Sequence, residues 1–154
     1  MKRIKEKQLI GRTDFVSIPD ADIFNLPCKI DTGADTSSIH CERVRIKEIN
    51  GEDHLVFKLL DKKHKLYSGK ELMIKEFKET KVKSSFGDYE FRYQVKLPII
   101  LFDKNFNVSF NLSNRKRMKF AVLLGRRFLS NRFIVDVSKS DLSLENENSS
   151  TLSE

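Results

Sequence analysis

Two stretches of strict alternation decide what this chain can become. Tyr89, Phe91, Tyr93 and Val95 alternate with Glu90, Arg92, Gln94 and Lys96, and Phe106, Val108, Phe110 and Leu112 alternate with Asn107, Ser109 and Asn111. Successive side chains of a strand point to opposite faces, so a period of two builds a sheet with one buried face. A helix would need apolar residues three and four apart. Between the two stretches, Pro98-Ile99-Ile100-Leu101 reads as a short strand and Asp103-Lys104-Asn105 as a turn. Val44-Arg45-Ile46 and His54-Leu55-Val56-Phe57 flank Asn50-Gly51, a hairpin signal because both turn residues tolerate positive φ; this hairpin is expected to extend the main sheet. Only 125–132 reads as helical, with Phe128 and Leu129 on its apolar face. The pattern predicts an all-β domain with one short C-terminal helix.

The 154 residues suit one domain with a core of its own. No run approaches the roughly 20 apolar residues that span a bilayer, and the basic start Met1-Lys2-Arg3 has no apolar run behind it to make a secretory signal. Cys28 and Cys41 are therefore expected as reduced thiols in a cytoplasmic protein. Lys and Arg number 29 against 22 Asp and Glu, a net charge of +7. From Ser138 onward Lys139 stands against Asp141, Glu145, Glu147 and Glu154, a net of −3, which leaves +10 on the body. Residues 1–137 read as the folded domain and 138–154 as an acidic, disordered tail. A basic body attracts polyanions or simply keeps the surface solvated, and composition does not choose between them.

The chemistry gathers in Cys28-Lys29-Ile30-Asp31-Thr32-Gly33-Ala34-Asp35-Thr36-Ser37-Ser38-Ile39. An apolar strand end followed by Asp-Thr-Gly sets a carboxylate on a tight turn. Gly33 is expected to permit the backbone geometry there and to leave room for close approach, and the Thr32 hydroxyl to bond neighbouring backbone. Alone the triplet fits a turn-capping aspartate as well as a catalytic one. A second segment, Lys119-Phe120-Ala121-Val122-Leu123-Leu124-Gly125-Arg126-Arg127-Phe128-Leu129, runs an apolar strand into Gly and a helix. Asp-Thr-Gly, then a hairpin tip at Ser84-Ser85-Phe86-Gly87-Asp88, then apolar-apolar-Gly before the last helix is the order of a retropepsin.

Taken with Gly11-Arg12-Thr13, Val82-Lys83, Arg92-Tyr93, Asn114-Arg115 and Met118-Lys119-Phe120, the set resembles a bacterial and archaeal family of retropepsin-like proteins labelled ATP-dependent zinc proteases. Its RimB-like members are associated with the RimK glutamate ligase. The resemblance spans residues 8–137. It implies a retropepsin-like (acid protease) closed barrel or sandwich with a flap hairpin, and an aspartic peptidase with Asp31 catalytic and Thr32 and Gly33 shaping its loop. Ala34, Asp35, Ser84, Ser85, Phe86, Gly87, Arg92, Gly125 and Arg126 are the implied substrate-binding positions. Asp35 departs from the family, where that position is often basic, and is similar to the viral retropepsins. The implied substrate is a protein or peptide, for RimB-like members a glutamate tail on a ribosomal protein, and the implied partner an ATP-grasp ligase. Lys29, Lys83, Arg92, Arg126 and Arg127 are candidates for holding an acidic chain.

Neither the zinc nor the ATP of the label has visible means here. Hydrolytic zinc needs about three converging ligands, and His40, His54 and His64 lack that spacing; no phosphate-cradling Gly-rich loop is present. No metal or cofactor is expected. With a single Asp-Thr-Gly, a two-carboxylate site calls for a homodimer; Asp35, four residues on, reads as orienting loop or substrate. The competing reading is a non-catalytic basic β-domain that binds RNA or an acidic protein, although no nucleic-acid motif is recognisable.

Overall fold

A computed structural model describes residues 6–83 and 86–145. Its strands are β1 (Gln8–Ile10), β2 (Thr13–Ile18), β3 (Ile23–Ile30), β4 (Ser37–His40), β5 (Val44–Ile49), β6 (Glu52–Lys58), β7 (Glu71–Ile74), β8 (Phe77–Lys83), β9 (Tyr89–Leu101), β10 (Lys104–Ser113), β11 (Val122–Leu124) and β12 (Phe133–Val135), with a short helix α1 (Arg126–Leu129). Strands β10, β4, β11, β3, β2 and β9 pair in that order, and the β9–β10 hairpin closes the ring into a six-stranded barrel. The chain is an all-β, retropepsin-like barrel.

The alternating residues line the barrel as expected, with one difference. Val95, Leu97, Ile99 and Leu101 of β9 and Val108, Phe110 and Leu112 of β10 are buried. Tyr89 and Phe91 are more than half exposed, because the first part of β9 leaves the barrel and pairs only with β8 in a projecting hairpin, Lys83 opposite Tyr89. The four residues expected as a separate strand around Pro98 belong to this same 13-residue β9. The Asn50-Gly51 turn forms with positive φ at both residues, but its hairpin does not extend the main sheet. With β7 it makes a separate three-stranded sheet, β5-β6-β7, whose inner face buries Leu55, Phe57 and Leu72 in the core. The helix expected over 125–132 is a single turn, α1, because Phe133 returns at once to pair with Gln8. Phe128 packs edge-on against Phe106 at 5.3 Å and near Phe133 at 5.5 Å.

The segment expected as a disordered tail from Ser138 is packed through Glu145. Arg12 N donates to Lys139 O at 2.8 Å, Asp141 N to Thr13 O at 2.9 Å, and Leu142 is buried on a helical turn at 142–145. The cause is Asp14, wholly buried in β2, whose carboxyl accepts from Phe15 N, Ser143 N and the Ser143 hydroxyl. Composition marked these residues as polar; it could not show that a buried carboxyl needs them. Gly11 makes the crossing possible, since a Cβ there would sit 2.3 Å from Lys139 O. The rest of the tail, and Ser84 and Ser85 at the hairpin tip, lie outside the described residues. Cys28 and Cys41 are buried free thiols; burial pushes both up, Cys41 to about 11.

Candidate active site

The Asp31 turn begins where β3 ends against the parallel β11, with Ile30 opposite Leu124. Asp31 N donates to Leu124 O at 2.9 Å, and Ala34 N closes the turn onto Asp31 O at 3.2 Å. The Asp31 carboxylate is 27% exposed. Its Oδ1 accepts from Gly33 N at 2.9 Å, and its Oδ2 lies 3.9 Å from Lys29 Nζ. The turn thus holds one acidic group in a set direction with an oxygen still open to solvent.

The chain leaving β11 fastens the turn from behind. Gly125 N donates to Ser37 Oγ at 3.1 Å, Arg126 N to Ala34 O at 2.8 Å and Arg127 N to Asp35 O at 3.0 Å. A Cβ on Gly125 would come within 2.7 Å of Thr36 O and 2.9 Å of Ala34 O, so the approach requires glycine. Gly33 is needed for space rather than for an unusual φ: a Cβ there would meet Asp31 Oδ1 at 3.2 Å. Thr32 holds the turn through its carbonyl, which accepts from Arg126 Nη1 at 3.0 Å; no bond of its hydroxyl occurs among the described residues. Asp35 is turned away from a second-acid role, with its carboxylate 3.1 Å from Arg127 Nε and 4.0 Å from Arg126 Nη2. Phe86, Gly87 and Arg92 sit on the β8–β9 hairpin, with Gly87 at φ +91 and Phe86 92% exposed. Ser84, Ser85 and the side chain of Lys83 lie outside the described residues.

Four contributors were given no role of their own in the sequence. Ser37 is buried under Gly125. Asn111 Nδ2 donates to Thr36 Oγ1 at 2.8 Å while its Oδ1 accepts from Gln94 at 3.0 Å. Both Asn111 and Gln94 occupy the polar phase of the alternation, which reads as solvent-facing but here supports the loop. Arg115 is a half-buried cation; burial pulls its guanidinium below the ordinary value, and the charge of Asp31 pulls the other way.

Among the described residues the metal donors that gather are His40, Glu42 and Asp61, within 4.8 Å of one another. His40 Nδ1 accepts from Arg115 N at 2.8 Å, so Nε2 carries the hydrogen and donates to Asp61 Oδ2 at 2.8 Å. Both ring nitrogens are committed, and the zinc of the family label does not fit these donors.

An Asp-Thr-Gly turn fastened to the Leu-Gly end of the neighbouring strand, in a closed β-barrel with a projecting hairpin, defines the retropepsin-like class. Within it the chain belongs to the RimB-like family: the family model described as retropepsin-like aspartic endopeptidase RimB matches residues 9–146. A protein of Desulfotalea psychrophila named probable alpha-L-glutamate ligase is 30% identical over 134 residues, 84% of this chain and 28% of that one. One of the same name from Shewanella halifaxensis is 31% identical over 138 residues, 87% of this chain and 29% of the relative. The chain thus spans less than a third of these relatives. The crystal structure of a Legionella pneumophila protein of unknown function superposes with a TM-score of 0.69 at 27% identity, covering 90% of this chain and 99% of that one. No helix among the described residues is long and apolar enough to cross a membrane.

Proposed function

We propose that the chain is an aspartic-type peptidase acting as a homodimer, with one Asp31 from each copy at the two-fold axis. The observation that carries this reading is the Asp31 turn itself: one part-exposed carboxylate whose Oδ1 accepts from Gly33 N, on a turn tied down by Asp31 N donating to Leu124 O and by the Arg126 and Arg127 N–H groups donating to Ala34 O and Asp35 O. Two such groups about 3 Å apart share one proton. The ionised one takes a proton from water, whose oxygen attacks the peptide carbonyl, and the protonated one donates to the carbonyl oxygen. The tetrahedral intermediate then passes a proton to the leaving amine as the C–N bond breaks. Leu9, Ile134 and Val137 leave apolar surface exposed on and just beyond the β1–β12 ribbon, which favours a second copy as its cover. Thr32, Gly33, Ala34, Asp35, Gly125 and Arg126 shape the site in this reading, and Phe86, Gly87 and Arg92 of the β8–β9 hairpin are its further substrate-binding positions.

The substrate in this reading is a glutamate tail on a protein such as a ribosomal protein, and a RimK-like ATP-grasp ligase is the partner. Two findings support it: the relatives' names as glutamate ligases, and the exposed cations Lys29, Arg126 and Arg127 around the turn. The test is release of glutamate from a glutamate-tailed peptide by the wild type and by the near-isosteric Asp31→Asn. Hydrolysis should vanish in the variant with its melting temperature unchanged, and the active species should sediment as a dimer. Full activity in Asp31→Asn, or in a monomer, would sink the reading. Retained peptide binding with no hydrolysis even in the wild type would favour the non-catalytic binding module.

A further inference from the structure

The β5–β7 sheet has a second face that the barrel does not use. Because Val44, Phe57 and Leu72 pair in one row and pack toward the core, the alternate row Arg45, Val56 and Met73 points the other way. By the same alternation Arg43 and Lys58 lie on that outer face. The face forms one wall of a cavity of about 900 Å³, closed further by Lys62 and Lys63 on the turn after β6 and by Lys116. None of the residues that shape the Asp31 turn lines it.

The charges in the cavity do not cancel. Its three carboxylates are engaged: Glu71 with Arg45 at 3.2 Å, Glu42 with Lys116 at 3.6 Å, and Asp61 with His40 at 2.8 Å. Arg43, Lys58, Lys62 and Lys63 line the cavity without an ion-pair partner among the described residues. Six lining cations against three carboxylates leave a net charge of +3 around a concave surface, which focuses a positive field and rules against a metal ion at His40, Glu42 and Asp61. The volume lies near the top of the roughly 300–1,000 Å³ range of ligand sites, too large for a single inorganic anion. Arg43, just before β5, and Arg45 on it lie two residues apart on one face, so their Cα atoms are about 7 Å apart. That is also the spacing of alternate carboxylates along an extended acidic chain. A single-stranded nucleic acid would want open aromatic faces on which to stack, but of the lining aromatics Phe57 is buried and Tyr67 half-buried.

We infer that this cavity docks an extended, carboxylate-rich peptide segment at a site distinct from the Asp31 turn. The choice of glutamate as the repeating unit rests on the function proposed above; the binding itself does not need hydrolysis. Lys116 lines the cavity and the adjoining Arg115 lies within the electrostatic reach of Asp31, so the segment 114–120 joins the two regions.

The test is fluorescence anisotropy with labelled hexaglutamate at about 50 and 500 mM salt, using wild type, Lys62→Glu/Lys63→Glu, Lys58→Gln and Asp31→Asn, each checked for an unchanged melting temperature. The wild type should bind and weaken with salt. The double reversal should lose on the order of tenfold or more in affinity, a change of about 1.4 kcal/mol per decade, Lys58→Gln less, and Asp31→Asn nothing. Absence of binding by the wild type, equal binding by the double reversal, or loss in Asp31→Asn alone would each overturn the inference. So would an oligouridylate of equal charge that binds more tightly and responds to the same variants. Docking and peptidase readings fail separately: binding without glutamate release removes only the second, and glutamate release indifferent to Lys62 and Lys63 removes only the first.

Discussion

Gly125→Ala should unfasten the Asp31 turn, and the structure sets the size of the effect. The added Cβ would lie 2.7 Å from Thr36 O, 2.8 Å from Thr36 C and 2.9 Å from Ala34 O. All three are backbone atoms of the turn and of the strand entry beyond it, so no side chain can swing aside. Overpacking of this kind costs about 1–3 kcal/mol. Moving the turn away also lengthens the bonds from Gly125 N to Ser37 Oγ and from Arg126 N to Ala34 O, each contributing about 0.5–1.5 kcal/mol. The total is about 2–6 kcal/mol, which for a domain of this size lowers the melting temperature by roughly 4–24 °C. Gly33→Ala is the control. Its Cβ would meet only Asp31 Oδ1, at 3.2 Å, and that carboxylate can rotate. Stability should fall by about 0.5–1.5 kcal/mol as the carboxylate leaves its bond with Gly33 N, so glutamate release should suffer far more than folding. Calorimetry and the hydrolysis assay on both variants decide it. A Gly125→Ala protein melting within about 2 °C of wild type would refute the fastening, because the carbonyls of Ala34 and Thr36 would then have room to yield.

Ser143→Ala removes the hydroxyl donor to the buried Asp14 carboxyl and should cost about 1–3 kcal/mol. Hydrogen exchange should accelerate over 136–145, and unchanged protection there would show that Asp14 does not hold this segment. Asp61 gives the pH dependence. The Lys63 N–H at 2.8 Å, and after it His40, hold its carboxyl below the ordinary 3.8. The unfolded chain therefore takes up the proton first, so the stabilisation is complete above about pH 4 and lost as pH falls through the lower folded value. Asp61→Asn should be less stable than wild type at pH 7, with the gap closing in urea titrations as pH falls below about 4; a gap that stays constant on acidification would contradict the assignment.

The period-two segments were legible because β9 and β10 pair with each other over nine residues in one register, a contact local in sequence. Asp31 and Gly125 were legible as motif residues, but their physical reasons came only from three dimensions. Gly33 and Gly125 are required by what lies opposite each of them, not by their own dihedral angles. Long-range polar partners were the least legible. Asn111 is one polar residue among several on β10 until Thr36, 75 residues earlier, is brought beside it. Asp14 and Ser143, 129 residues apart, give no local sign that one buries the other's bonds. The Asn50-Gly51 turn showed that a hairpin would form, while its separation from the barrel depended on which face of β6 found the core.

Strand β4 connects these observations into one arrangement. It is four residues long and sits in the barrel between β10 and β11. At its start Ser37 accepts from Gly125 and so helps to set the Asp31 turn. At its end His40 bonds Asp61 on one side and Arg115 on the other, fixing the rim of the basic cavity and the segment that leads back toward Asp31. Ile39 between them is fully buried and paired with both Leu112 and Val122, so the strand has little freedom to let one end move without the other. A docked acidic segment and the Asp31 carboxylate would therefore be held in a fixed relation by one short strand. Such a geometry suits a chain that grips a long acidic tail in one place and acts on it in another.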